Sequence, residues 1–296
     1  MSNAAEMASV ARNPRVFTDL VYDVGMHNGN DTAFYLHQGY RVVAIEADPV
    51  FVEQAKWRFA QEIREGRLVI LNVGIADEAG QAEFWICDDN SVWNSFDRNV
   101  AARNGSRHHA LTVQTATFRE ILRDCGLPHY LKIDIEGNDG LCVQSLLGLP
   151  IPKYISLEAQ CSADPDDSTE AELLTTLELL REAGYKRFKL ISQVRFWAAG
   201  NVRGPKWLHR VALSAAHGRL RALKLGRIAM TLTGRHILQS NGYKFEHGSS
   251  GPWGEITPGP WLSYKDARRT FLRARNWHVS KSNGKYSFWF DWHATY

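Results

Sequence analysis

The chain predicts an α/β fold with a doubly wound, mostly parallel sheet, and three observations carry that expectation. A strand–turn–helix–strand unit fills Val21 to Pro49, a second apolar strand ends in acids and a glycine at Leu131 to Gly137, and further strands alternate with helical patterns along the chain. At 296 residues with 44% hydrophobic content, the sequence can bury a full core as one large domain or as a domain carrying an insertion.

The first unit reads VYDVGMHNGNDTAFYLHQGYRVVAIEADP. A short apolar run ends in Asp23, a turn spans Gly25 to Gly29, a helix covers about Asp31 to Gln38 before Gly39, and a strand from Arg41 to Ile45 delivers Glu46. The glycines permit a tight turn and close backbone approach to a ligand, while Asn30 or Asp31 can cap the helix. Glu46 follows Gly25 by 21 positions (46 − 25), the spacing at which a carboxylate accepts bonds from ribose hydroxyls. A dinucleotide fingerprint needs G-x-G-x-x-G, and Met26 and His27 break it. S-adenosylmethionine (SAM) carries no pyrophosphate, so the looser turn beside Asp23 suits that molecule better.

Val52 to Glu65 has a helical pattern, Leu68 to Asn72 and Gln81 to Ile86 are extended, and Thr117 to Cys125 is helical. YLKIDIEGND then brings Asp134 and Glu136 to the end of a strand, where open parallel sheets bind their ligands. Lys153 to Leu157 is a strand ending at Glu158, Thr169 to Ala183 is a helix stopped by Gly184, and Tyr185 to Ser192 is the next strand. The aromatic tail Tyr286 to Trp292 is strand-like.

DVGMHNGNDT, VVAIEADP and LKIDIEG together resemble the FkbM family of SAM-dependent methyltransferases, with NVGIADEAGQAEFWI, SVWNSF and TVQTATFREIL following in that family's order. The resemblance covers about residues 20 to 192 and resumes at the last strand. It implies a Rossmann-like class I methyltransferase fold with seven strands, the last antiparallel, and methyl transfer to a hydroxyl oxygen of a sugar, polyketide or similar metabolite. Carried over by position, Asp23, Gly25 and Gly29 would line the methionine end of SAM, Glu46 its ribose and Asp77 or its neighbours the adenine side, with Met26, His27, Asp31, Thr32, Ala47 and Asp134 also expected among the cofactor-binding residues. His27 stands where the family commonly has Asn.

An alcohol needs a base to take its proton, and Asp134, Glu136, Glu158 and His27 are the catalytic expectations. Two or three of the carboxylates would also suit Mg²⁺, although no spacing demands a metal. Trp93, Trp253 and Trp261 are expected to contact the substrate, the last two from the loop HGSSGPWGEITPGPW.

Domain organisation follows: an extension over 1–20, the SAM-binding domain over 21–195 and 285–296, and an insertion over 196–284. From Ala183 to Phe245 there are thirteen Lys or Arg and no Asp or Glu, so the net charge of +3 hides a strongly basic segment in an otherwise acidic chain. Trp207 to Leu238 has the makings of one or two helices there, broken near Gly218 and Gly226. Such a field attracts anions, whether a phosphorylated small molecule, a nucleic acid or an anionic membrane. An RNA methyltransferase or a membrane-associated binding protein is therefore the competing expectation, although the [D/N]-P-P-[F/Y/W] motif of base-nitrogen enzymes is missing.

Four cysteines without C-x-x-C spacing, no apolar h-region in MSNAAEMASVARNPRV and no window of 18 apolar residues point to a cytoplasmic protein with reduced thiols. Oligomeric state is not legible.

Overall fold

The computed structural model describes residues 14–159, 170–193, 197–199, 243, 245–246, 249–257, 259–282 and 289–296. The expected helices between Trp207 and Leu238, and the basic side chains from Arg195 to Lys244, lie outside these. The chain divides into two compact units, one of Met1–Gly29 with Tyr35–Lys153 and one of Asn30–Phe34 with Tyr154–Tyr296.

In the first unit β1 (Leu20–Val24) is entirely buried, as the run LVYDV requires. After the glycine turn comes α1 (Asn30–His37), whose first turn belongs to the second unit. Gly39, at φ +87°, ends it and leads into β2 (Arg41–Ile45). The long helix expected from Val52 to Glu65 is two: α2 (Pro49–Arg58) and α3 (Ala60–Arg64), separated at Phe59, whose φ of −110° and ψ of 27° leave the helical region. Asp48 caps α2 by accepting the Val50 N–H, and Pro49 occupies the first turn, where its missing N–H costs nothing. β3 (Leu68–Leu71) follows.

β4 (Gly74–Ile75), β5 (Gly80–Cys87) and, after the short α4 (Arg98–Ala101), β6 (His108–Ala116) form a separate sheet in the order β4-β6-β5. Its inner face packs Phe84 and Val113 against Ala47, with Phe96 beside them. Thr117 and Glu120 close a reciprocal capping box at the start of α5 (Phe118–Cys125). β7 (Tyr130–Ile133) and α6 (Asp139–Gln144) complete the unit.

β7-β1-β2-β3 are hydrogen-bonded in that order and all parallel. Strand order therefore reverses between β1 and β7, the Rossmann-like switch point outside whose carboxyl ends ligands bind. Gly25 and Asp134 flank it.

The second unit contains β8 (Tyr154–Glu158), α7 (Glu170–Glu182), β9 (Arg187–Ser192), β10 (Trp197–Ala198), α8 (Tyr264–Ser282) and β11 (Phe290–Thr295). β11 lies between β8 and β9 and runs antiparallel to both, the reversed strand that the family resemblance implies. The two-residue β10 adds an antiparallel edge to β9. Ser263 accepts the Asp266 N–H at 3.2 Å and caps α8. Among the described residues no helix is long and apolar enough to cross a membrane.

Candidate functional site

The turn after β1 is built around close backbone approach. Gly25 has φ +79°, and a Cβ there would lie 1.9 Å from the Asp134 carbonyl oxygen, so no other residue fits without parting β1 from the end of β7. Gly29 has φ +75°, and its missing Cβ leaves room for the Phe59 ring, which would otherwise be 2.7 Å away. Between them His27 adopts φ +50°, and Met26 is buried.

That left-handed turn at His27 aims its N–H at Glu46, which accepts it at 2.7 Å through Oε2 and accepts the Asp48 N–H at 2.9 Å through Oε1. Each carboxylate oxygen thus carries one backbone bond and keeps a lone pair for another donor. Burial pushes the Glu46 carboxyl up to about 7, with the two N–H bonds opposing the rise. The His27 ring meets Ser91 Oγ at 2.8 Å and tilts against Phe51, and burial followed by the nearby Lys132 charge holds its pKa below the ordinary imidazole value. Ser91 begins the 3-10 turn Ser91–Trp93, in which Trp93 is half-buried.

Lys132 is the residue that sequence reasoning passed over. It is almost fully buried in β7, with its Nζ 3.0 Å from Asp23 Oδ1 and 3.9 Å from Asp134 Oδ2, and it donates to the Gly25 carbonyl at 2.7 Å. The wholly buried Asp23 therefore faces this ammonium, and the pair braces the glycine turn from behind. A lysine inside the apolar run YLKI was the available signal, since such a residue needs a buried partner.

After β7 the chain turns back through Glu136, at φ +48°. The Glu136 carbonyl accepts the Ser95 hydroxyl at 2.7 Å, and its carboxylate pairs with Arg103 at 3.2 Å while staying partly exposed. Burial first and the Asp134 charge second push Glu136 up to about 7, against the opposing Arg103. Burial, then Asp134, likewise raises Asp139 to about 6. Among the described residues no group of three His, Cys, Asp or Glu side chains is disposed to hold a metal ion.

The first unit thus gathers Gly25, His27, Glu46, Asp134 and Glu136 round the carboxyl ends of β1, β2 and β7. Ala47 packs into the small-sheet cluster, and Asp77 is exposed in the bend before β5. The second unit holds the other expected residues. Asp31 is buried and accepts the Ser250 N–H at 3.0 Å with both carboxylate oxygens, and Thr32 is fully buried beside it in the chain. Glu158 ends β8, half-buried. Trp253 is buried edge-on against Tyr154. Trp261 stacks on Tyr154 and donates to both oxygens of Glu255, while Lys189 Nζ sits 4.3 Å from its ring centre. Lys189 in turn donates to the Gly254 and Thr257 carbonyls at 3.2 and 2.8 Å, which fastens this loop to β9.

The family model described as the methyltransferase FkbM domain matches residues 23–187, more than half of the chain. The chain belongs to the FkbM methyltransferase family. An FkbM methyltransferase from Methylobacillus flagellatus KT is similar over 62% of this chain at 14% identity and a TM-score of 0.38, and the match spans 42% of that protein's own length. A SAM-dependent methyltransferase from Thiobacillus denitrificans, solved with S-adenosyl-L-homocysteine, is similar over 98% of this chain and 88% of its own at 13% identity and a TM-score of 0.31. No curated protein matches the chain. The FkbM match begins at Asp23 and takes in the glycine turn, Glu46, Asp134 and Glu136.

Proposed function

We propose that this FkbM-family chain transfers a methyl group from SAM to a hydroxyl oxygen of a small-molecule acceptor. The observation that carries the reading is Glu46, a buried carboxylate held in place by the His27 and Asp48 N–H groups with one acceptor position left on each oxygen. Two such positions suit the vicinal hydroxyls of a ribose. At Gly25 the absence of a Cβ lets the turn lie against the Asp134 carbonyl, and the Lys132–Asp23 pair braces it. When bound, the sulfonium donor supplies an electrophilic methyl group.

The acceptor hydroxyl must lose its proton as its oxygen attacks, and Glu136 is the base we assign. Its carboxylate is partly exposed, and a pKa near 7 matches proton transfer at neutral pH. Arg103 keeps enough ionised form available and orients Oε2. His27, neutral and engaged with Ser91, fixes the turn instead, and Asp134 tunes both Glu136 and Asp139 by its charge.

Calorimetry with S-adenosylhomocysteine tests the donor half of this reading. Wild type should bind and Glu46→Ala should bind more weakly, by about 1.5–3 kcal/mol for loss of a charged hydrogen-bond acceptor. Equal affinities would remove Glu46 from the site, and no binding to wild type would remove the donor.

A further inference from the structure

The chain from Ser95 to Arg103 is fastened to Glu136 at both its ends. Ser95, almost wholly buried, accepts the Asp97 N–H at 3.0 Å and donates its hydroxyl to the Glu136 carbonyl at 2.7 Å. Asp97 caps α4 by accepting the Asn99 N–H at 2.8 Å, and beyond α4 Arg103 returns to the Glu136 carboxylate, Nη1 to Oε2, at 3.2 Å. Asn104, at φ +57°, turns the chain immediately afterwards. The fold, and not the long side chain alone, brings this arginine to the end of β7. An ion pair as open as this one, with Arg103 47% exposed, adds little to stability, so upkeep of the fold does not account for it.

The arginines of this stretch are spent differently. Arg107 gives both Nε and Nη2 to Asp89, at 3.1 and 2.7 Å, and Arg98 lies over the Trp85 ring while giving Nε to His108. Among the described residues Arg103 makes its one side-chain hydrogen bond through Nη1, and a guanidinium fork offers parallel donors on a second edge, which here stays open for another oxyanion. The Glu136 carboxylate is likewise only half used, because Oε1 accepts no bond from any described group. Of the charges acting on Glu136, Asp134 and Asp139 are negative and Arg103 is positive. A ligand with a hydroxyl and an anionic group is therefore turned one way: its charge to Arg103, its hydroxyl to Glu136.

We propose that Arg103 is the recognition residue for an oxyanion carried by the methyl acceptor, which makes the substrate class a small hydroxy acid or phosphate ester whose hydroxyl lies within a few bonds of that charge. The inference deepens the reading of Glu136 as the base and rests on it. With Nη1 on Glu136 and its second edge on the substrate oxyanion, the guanidinium bridges base and acceptor, and the short reach of that bridge sets the hydroxyl against Oε1. The hydroxyl gives its proton to Oε1 as its oxygen takes the methyl group, and S-adenosylhomocysteine is left. The sequence pointed to the basic stretch from Ala183 to Phe245 for anion recognition; here the task falls to one arginine outside that stretch.

The test uses the full chain saturated with S-adenosylhomocysteine, its glutamates carbon-13-labelled at the side-chain carboxyl and the Glu136 NMR signal assigned by its loss in Glu136→Gln. The probes are glycolate and glycerol 3-phosphate, with their uncharged counterparts ethylene glycol and glycerol. At least one anion should bind and move the Glu136 signal, and its uncharged counterpart should bind at least about tenfold more weakly. Which anion binds tells a carboxylate acceptor from a phosphate one. Arg103→Gln should weaken that anion by about tenfold or more with S-adenosylhomocysteine affinity retained, and Arg103→Lys, which keeps the charge without the planar fork, should fall between the two. Neither anion moving the Glu136 signal, an uncharged probe binding as tightly, or Arg103→Gln holding the anion like wild type would each overturn the proposal. The contrast between charged and uncharged probes in wild type decides the matter if Arg103→Gln fails to fold. Turnover that survives Glu136→Gln defeats the base reading alone, whereas Arg103 is judged by the probes.

Discussion

Lys132 Nζ lies 3.0 Å from Asp23 Oδ1 and donates to the carbonyl of Gly25, so a buried ion pair between neighbouring strands holds the glycine turn. Removing one partner strands the other charge in the core. Lys132→Met should destabilise the protein by about 3–5 kcal/mol in urea unfolding, and adding Asp23→Asn should recover much of that loss. A single mutant as stable as wild type would contradict the pairing.

Gly25→Ala places a Cβ against the Asp134 carbonyl and forces alanine to a positive φ. We expect a loss of stability of about 2 kcal/mol or more and a still larger loss of S-adenosylhomocysteine affinity, because the turn itself must shift. Gly39→Ala, where nothing lies within contact of the added methyl, is the control and should leave binding unchanged.

The pH dependence has a definite sign. Glu46 and Glu136 are raised from an ordinary 4.5 to about 7, and Asp139 from 3.8 to about 6, so each binds its proton more tightly folded than unfolded. Their contribution to stability is complete below about pH 4 and is lost as pH rises to about 7. Denaturation midpoints of Glu46→Gln should fall less over that window than those of wild type. Donor affinity should move the other way in wild type, strengthening through about pH 7 as Glu46 ionises to accept the ribose hydroxyls.

Glu136→Gln should lower kcat by about 10²- to 10⁴-fold and remove the limb of the rate profile near pH 7, with S-adenosylhomocysteine affinity retained. A preserved limb would place the base elsewhere.

Lys189→Met leaves the Gly254 and Thr257 carbonyls without their donor and takes the cation from the face of Trp261. The expected cost is about 1–3 kcal/mol, read by unfolding together with a shift in tryptophan emission. An unchanged spectrum and midpoint would mean that the loop is fastened by other contacts.

Much of this was legible in the sequence where local pattern decides. β1, β2 and β7 are short, largely apolar runs, and the glycine turn and Glu46 declare themselves by spacing. The break at Phe59 was hidden because α2 and α3 keep a continuous helical pattern across it. β6 was missed because its alternation runs through His, Thr and Gln rather than clear apolar residues. Lys132 with Asp23, Ser95 with Glu136, and Gln193 with Asp291 are partners 109, 41 and 98 positions apart, and no periodicity encodes which distant residues meet. Trp253 and Trp261 illustrate the same limit: composition marks them as aromatic, but only packing makes one a buried partner of Tyr154 and the other a roof over Lys189.

The position of β11 has a kinetic corollary. β8 and β9 have no strand between them until residues 290–295 arrive, and the Asp31 carboxylate in the first turn of α1 accepts the N–H of Ser250, far along the chain. Loops this long must close before either contact stabilises anything, so the second unit should assemble slowly and late during refolding, with amide protection in β8 and β9 lagging behind that of β1 and β2.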